Sequence, residues 1–239
     1  MADAMGQLEV FRDPAALARH AAEWMTAAAL AAQAPFRVSL SGGSTPKALY
    51  ALLASTDFKD RFPWQRVFWY WGDERFVPYD HPESNYRMTR EAMLDKVPIP
   101  PGNIHPVPAD GAPDAAARRY ERTLQEAYGA AILDPARPLF DITLLGLGAD
   151  GHTASLLPGE AVLAERRRWV APVSHGRPEI RITMTYPVIE SSRSVAFLVA
   201  GREKAAILRA IRGGSSDVPA ARVRPTGALF WFVDRAAAG

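Results

Sequence analysis

Residues 139–145 form a largely apolar run, LFDITLL, that feeds directly into Gly146-Leu147-Gly148-Ala149-Asp150-Gly151-His152. A run of this kind, followed at once by a glycine turn, reads as a buried strand of an open α/β sheet. The turn then sits at the strand's C-terminal end, where such sheets place their chemistry. It carries an acid and an imidazole two residues apart, Asp150 and His152. Imidazole is well suited to take a proton from water near neutral pH. The segment is therefore expected to hold a catalytic base.

Gly146, Gly148 and Gly151 also spell G-x-G-x-x-G, the dinucleotide fingerprint. That motif needs a full helix behind it and an acid about 20 residues further on. Here Pro158-Gly159 stops any helix after little more than one turn, and residues 169–173 offer no acid. No nicotinamide or flavin is expected, and no other cofactor.

Around this centre, apolar and helical patterns alternate. Asp13-Pro14 caps and opens an Ala-rich helix running to about residue 32. Residues 36–41 and 66–72 read as core strands. After the first, Gly42-Gly43 turns the chain, and Ser44 or Thr45 is expected to cap a helix with Pro46 in its first turn. After the second comes a polar loop, DERFVPYDHPESN. Helical patterns at 86–94 and 115–128 flank a Pro-rich crossover loop near 97–113. Strands follow at 181–185 and 194–200, then a helix at 203–211 and a closing strand at 228–233. Alternating strands and helices imply a mostly parallel sheet with helices on both faces, in a single domain over residues 1–239.

Lys plus Arg is 28 against 26 for Asp plus Glu, a net charge of +2. That balance gives no sign of nucleic-acid binding, and Arg166-Arg167-Arg168 reads as a solvated helix end. Without Cys there is neither a disulfide framework nor a thiol metal site. His20, His81, His105 and His175 show no metal-ligand spacing, so no metal is expected. No apolar run reaches the roughly 18 residues of a membrane span, and the N-terminus lacks the order of a signal peptide. The expectation is a cytoplasmic protein, monomeric or weakly self-associating, that acts on a small molecule.

Three further segments are candidates for binding that molecule. In Ser41-Gly42-Gly43-Ser44-Thr45 the glycines admit close backbone approach, and the next helix points free N–H groups outward. No Walker pattern is present, so a single phosphate suits the loop better than a triphosphate; a plain capped helix start is the alternative. Asp73, Glu74 and Arg75 follow a buried strand and are either a solvated loop or site residues, with Asn85 later in the same stretch. Arg181 and Lys204 are cations near strand and helix ends. Lys204 is placed poorly for helix stability, because cations favour the C-terminal end.

Together, SLSGGSTPKALY, WGDERFVPYDHPESNYRM, LLGLGADGHTASLLPG, RITMTYPVI and PTGALFWFVDRAA resemble the 6-phosphogluconolactonase family, in order and spacing, over nearly the whole chain. The resemblance implies a Rossmann-like α/β fold shared with glucosamine-6-phosphate deaminase and ribose-5-phosphate isomerase. It also implies metal-independent hydrolysis of 6-phospho-D-glucono-1,5-lactone in the pentose phosphate pathway. By the same resemblance His152 is the general base and Asp150 its neighbour. Ser41, Gly42, Gly43, Ser44, Thr45, Arg75, Asn85, Arg181 and Lys204 stand at substrate-binding positions. Asp73 and Glu74 are candidates for binding sugar hydroxyls or orienting other groups, and Arg75 or the amides of the 146–151 turn, Gly148 among them, for the developing oxyanion. A deaminase is the nearest rival, but that family follows its D-G-H turn with Phe-Asn-Glu-Pro. Ser155-Leu156-Leu157-Pro158 supplies no acid there. A non-catalytic sugar-phosphate sensor would carry a helix-turn-helix module, for which the N-terminal lead is expected to leave no room.

Overall fold

The computed structural model describes residues 5–33, 35–174 and 179–239; His175 lies outside them. Seven strands form one sheet, in the order β1 (Gln7–Phe11), β10 (Ala228–Asp234), β9 (Ser192–Val199), β6 (Phe140–Leu145), β2 (Phe36–Leu40), β3 (Val67–Trp71) and β5 (Ile104–His105). Every neighbouring pair is parallel. In β2, Val38, Ser39 and Leu40 are all buried, and in β6 so are Ile142, Thr143 and Leu144. Successive side chains point to opposite faces, so both faces of the central sheet are covered.

The order of connection reverses at the centre. From β2 the chain passes to β3 on one side, whereas from β6 it passes to β9 on the other. The C-terminal ends of β2 and β6 therefore flank a topological switch point, the usual place for a ligand crevice.

Helices close the layers. In α1 (Pro14–Ala31) the Asp13 carboxylate accepts the Ala16 N–H at 2.7 Å, and Leu17, Ala21, Ala22 and Met25 bury a stripe. Two buried tyrosines finish the strands nearest the crevice. The Tyr50 hydroxyl, on α2 (Ser44–Leu53), accepts the Ser41 N–H at 2.9 Å and donates to the Ser41 carbonyl at 2.8 Å. Tyr120, on α4 (Pro113–Tyr128), does the same for Trp71, at 2.8 and 2.9 Å. Each hydroxyl satisfies both backbone groups of a residue at a strand's C-terminal end.

Several elements differ from the sequence expectation. The supposed polar loop after β3 opens with a strand, β4 (Asp73–Arg75), in a second, antiparallel sheet with β8 (Arg181–Met184) and β7 (Val170–Val173). Glu74 is buried there because its carboxylate accepts the N–H groups of Arg75, Asn85 and Tyr86 and the Ser84 hydroxyl. It closes the start of α3 (Asn85–Ala92). Neither Ser44 nor Thr45 caps α2: Gly43, at φ 104°, is the cap residue, and Ser44 is already helical. Lys204 ends a 3₁₀ turn, Arg202–Lys204, that precedes α6 (Ala205–Arg212), so it lies just outside that helix. The Arg166-Arg167-Arg168 run ends no α-helix. It follows a 3₁₀ turn at Ala161–Ala164, and Arg168 pairs with Asp114 at 2.9 Å.

Candidate active site

A cleft of about 280 Å³ opens above the switch point. The loop after β2 lines it with Ser41, Gly42, Gly43, Ser44 and Thr45. Strand β4 contributes Asp73 and Arg75, α3 contributes Asn85, and β8 contributes Arg181. The turn after β6 supplies Gly146, Gly148 and His152, and the segment after β9 supplies Glu203 and Lys204. Of the residues chosen from sequence, Glu74 and Asp150 do not line the cleft. Glu74 is engaged at the start of α3, and Asp150 stands behind the histidine.

His152 Nδ1 lies 2.5 Å from Asp150 Oδ1, and the same oxygen accepts the His152 N–H at 3.2 Å. Partial burial works against the Asp150 anion, but the hydrogen bonds from His152 outweigh it and hold the carboxyl below its ordinary range. An ionised carboxylate only accepts, so Nδ1 carries the proton of this bond and Nε2 is the ring nitrogen left for other work.

The turn itself is closed internally. Gly148 N–H donates to the His152 carbonyl at 2.8 Å, and Gly151 N–H to the Gly148 carbonyl at 3.0 Å. These two amides are spent on the turn, which weakens their claim to an oxyanion. What Gly148 provides is room: a Cβ there would overlap the His152 ring and Asp150 Oδ1. Thr153 Oγ1 donates to the Gly146 carbonyl at 2.9 Å and ties the far side of the turn to the end of β6.

The β2 loop is built the opposite way. No side chain caps α2, and the first N–H groups of a helix have no partner within it. With Pro46 next, the Ser44 and Thr45 amides are the donors this helix end presents, in a partial positive field. Gly42 packs against the Asn85 amide.

Arg75 and Arg181 are directly opposed across the β4–β8 ladder. Arg75 Nη1 donates to the Glu83 carbonyl at 2.9 Å and to Asn85 Oδ1 at 3.0 Å, while Arg181 Nη2 donates to Glu179 at 2.8 Å. The Nε atoms of both are buried without a partner. Like charges directly opposed on a ladder repel, and orphaned buried donors are costly. The Glu179 carboxylate offsets the repulsion at Arg181. Asn85 donates from Nδ2 to the Asp73 carbonyl at 3.0 Å, so its amide serves mainly to hold Arg75. Lys204 Nζ stands 3.9 Å from the Glu203 carboxylate at the edge of the cleft. Sequence reasoning passed over Glu203 as well as the hydroxyls of Thr153 and Ser155. Among the described residues no His, Cys, Asp and Glu side chains group as metal ligands, and no helix is long and apolar enough to cross a membrane.

The profile of the glucosamine-6-phosphate isomerases/6-phosphogluconolactonase family matches residues 12–231. The chain belongs to this family. A 6-phosphogluconolactonase from Nostoc sp. is 42% identical over 214 residues, which span 87% of this chain and 86% of that protein. The solved 6-phosphogluconolactonase from Trypanosoma cruzi superposes with a TM-score of 0.85 at 30% identity, covering 100% of this chain and 97% of that one. A monomeric glucosamine-6-phosphate deaminase shares the fold, with a TM-score of 0.80, 22% identity and coverage of 97% and 98%. The family and fold implied by the motifs are those found.

Proposed function

We propose that the protein hydrolyses 6-phospho-D-glucono-1,5-lactone to 6-phospho-D-gluconate, the lactone step of the pentose phosphate pathway. Relatives that carry this activity in their names support the substrate. The observation that carries the chemistry is His152, on the wall of a cleft that also bears Arg75, Arg181 and Lys204, with Asp150 Oδ1 2.5 Å behind its Nδ1.

Nε2 of His152 takes a proton from a water as its oxygen attacks C1 of the lactone. Negative charge moves to the former carbonyl oxygen, where Arg75, with Arg181 beside it, receives it. The C1–O5 bond then breaks, and the imidazolium returns its proton to O5. Asp150 keeps the ring in the tautomer that presents a bare Nε2 and stabilises its cation. The phosphate lies in the 41–45 loop against the α2 N-terminus and Lys204, a backbone cradle plus one mobile charge. A strained cyclic ester needs no covalent nucleophile, and no G-x-S-x-G elbow is present.

Both sheets contribute to one cleft, so we read residues 1–239 as one functional unit. For its assembly we keep a monomer or a weak homo-oligomer as the proposal.

The reading is tested by generating the lactone freshly from glucose 6-phosphate and following acid release at neutral pH, with EDTA present. Loss of lactone well above the spontaneous rate is expected, with glucosamine 6-phosphate left untouched. No acceleration of lactone loss, or ammonia release from glucosamine 6-phosphate, would overturn it.

A further inference from the structure

The residues just after His152 hold more constraint than a loop needs. Ala154 has φ 48°, the only non-glycine residue with positive φ among those described. A left-handed alanine is sterically disfavoured and persists only where its flanks over-determine it. One flank is the Thr153 bond to the end of β6. The other is Ser155, fully buried, whose hydroxyl donates to Asp73 Oδ2 at 2.6 Å.

Ser155 is seated twice on one rung of the second sheet. Its N–H donates to Thr183 Oγ1 at 3.3 Å, and Thr183 is the register partner of Asp73. Two residues beyond Asp73 on the same strand stands Arg75, opposite Arg181. The Ser155–Asp73 bond therefore joins the strand that carries the guanidiniums to the turn that carries the imidazole, across 82 residues of sequence. A short bond from a hydroxyl to a carboxylate is among the stronger kinds, and this one is shielded from water.

We propose that Ser155 and Asp73 form a positioning couple. Their hydrogen bond sets the distance from the His152 ring to Arg75 and Arg181, and neither side chain takes part in the chemical step. The proposal rests on the lactonase reading and refines it. It assigns Asp73 to holding the base rather than to binding a sugar hydroxyl. A base misplaced by about 1 Å loses on the order of a hundredfold in rate.

The test is a double-mutant cycle on the hydrolysis reaction, with kcat and KM measured separately. Ser155→Ala and Asp73→Ala are each expected to lower kcat by about 10- to 100-fold, the range that such misplacement implies, with KM held within about threefold. The double variant should lose no more than either single one, because both remove the same bond. Asp73→Asn keeps a carbonyl oxygen that accepts the Ser155 hydroxyl and should recover most of what Asp73→Ala loses. If Ser155→Ala fails to fold, the contrast between Asp73→Ala and Asp73→Asn still decides. Multiplying losses in the double variant, a rise confined to KM, or an Asp73→Asn as poor as Asp73→Ala would each overturn the couple. A wild type without lactonase activity would remove the underlying reading, and the couple with it. An active wild type matched by Ser155→Ala would remove the couple alone.

Discussion

The two glycine-bearing segments that meet at the switch point are built on opposite principles. The 41–45 loop leaves donors open: α2 starts uncapped, and the loop is fastened chiefly by the Tyr50 hydroxyl at Ser41. The 146–155 segment leaves little open. Its amides close on its own carbonyls, its acid and imidazole hold each other, and Thr153 and Ser155 pin its far end. A group that binds an anion gains from unsatisfied donors, whose cost the ligand repays. A group that moves a proton must keep one geometry through the reaction. On the proposed reading, affinity is placed in the open loop and proton transfer in the closed one.

That contrast can be broken from either side. Apart from the imidazole itself, Arg75→Ala should show the largest effect, since losing one donor to an oxyanion typically costs about 2.7–4 kcal/mol. We expect kcat to fall by at least about a hundredfold. A change confined to KM would move Arg75 from the chemistry to the phosphate. Gly148→Ala comes next. The new methyl displaces the His152 ring, and kcat should drop by up to about a hundredfold while the protein stays folded and still binds inorganic phosphate. Equal loss of phosphate binding would show that the two segments are not separable.

In the open loop's territory, Lys204→Ala should raise KM by about 10- to 100-fold, since a hydrogen bond to a charged group is worth roughly 1.5–3 kcal/mol. Its kcat should change little, because a phosphate remote from C1 is held nearly alike in ground and transition states.

The smallest effect is expected away from both segments, at His105 on the sheet edge. Its ring stacks on Tyr70 with centroids 4.7 Å apart, and its buried Nε2 has no partner. Burial holds its pKa below the ordinary histidine value. The unfolded chain therefore takes up the proton more readily than the folded one. The contribution to stability is full above about pH 6.5 and is lost as pH falls from there through the folded value. Thermal unfolding at pH 7.5 and 5.5 should show a smaller drop for His105→Phe than for wild type. An identical drop would mean that His105 titrates normally.

How much of this was readable from the letters depended on how local the cause was. Strand β6 and its turn were legible because an apolar run, two glycines and a D-G-H triplet act within a dozen residues. The second sheet was not: β8 was legible as a strand at 181–185, but β4 has three residues, too short for periodicity, and the pairing that joins Asp73 to Thr183 spans the chain. The α2 cap was misassigned because Ser and Thr favour that position, whereas here Gly43 occupies it with a backbone that side-chain residues avoid. Gly148 was read as a donor, and only the folded turn reveals that its N–H is used internally and that a Cβ there would overlap His152. Ser155 looked like filler because its partner lies 82 residues away.

The most direct test of the division is to measure His152→Ala in two ways on the same preparation. Calorimetry gives the affinity for 6-phosphogluconate, and the lactone assay gives kcat. The account predicts product affinity within about threefold of wild type and a kcat reduced by about 10²- to 10⁴-fold, the range for losing a general base. Near-normal turnover in a folded His152→Ala would contradict it, because the base would then lie elsewhere.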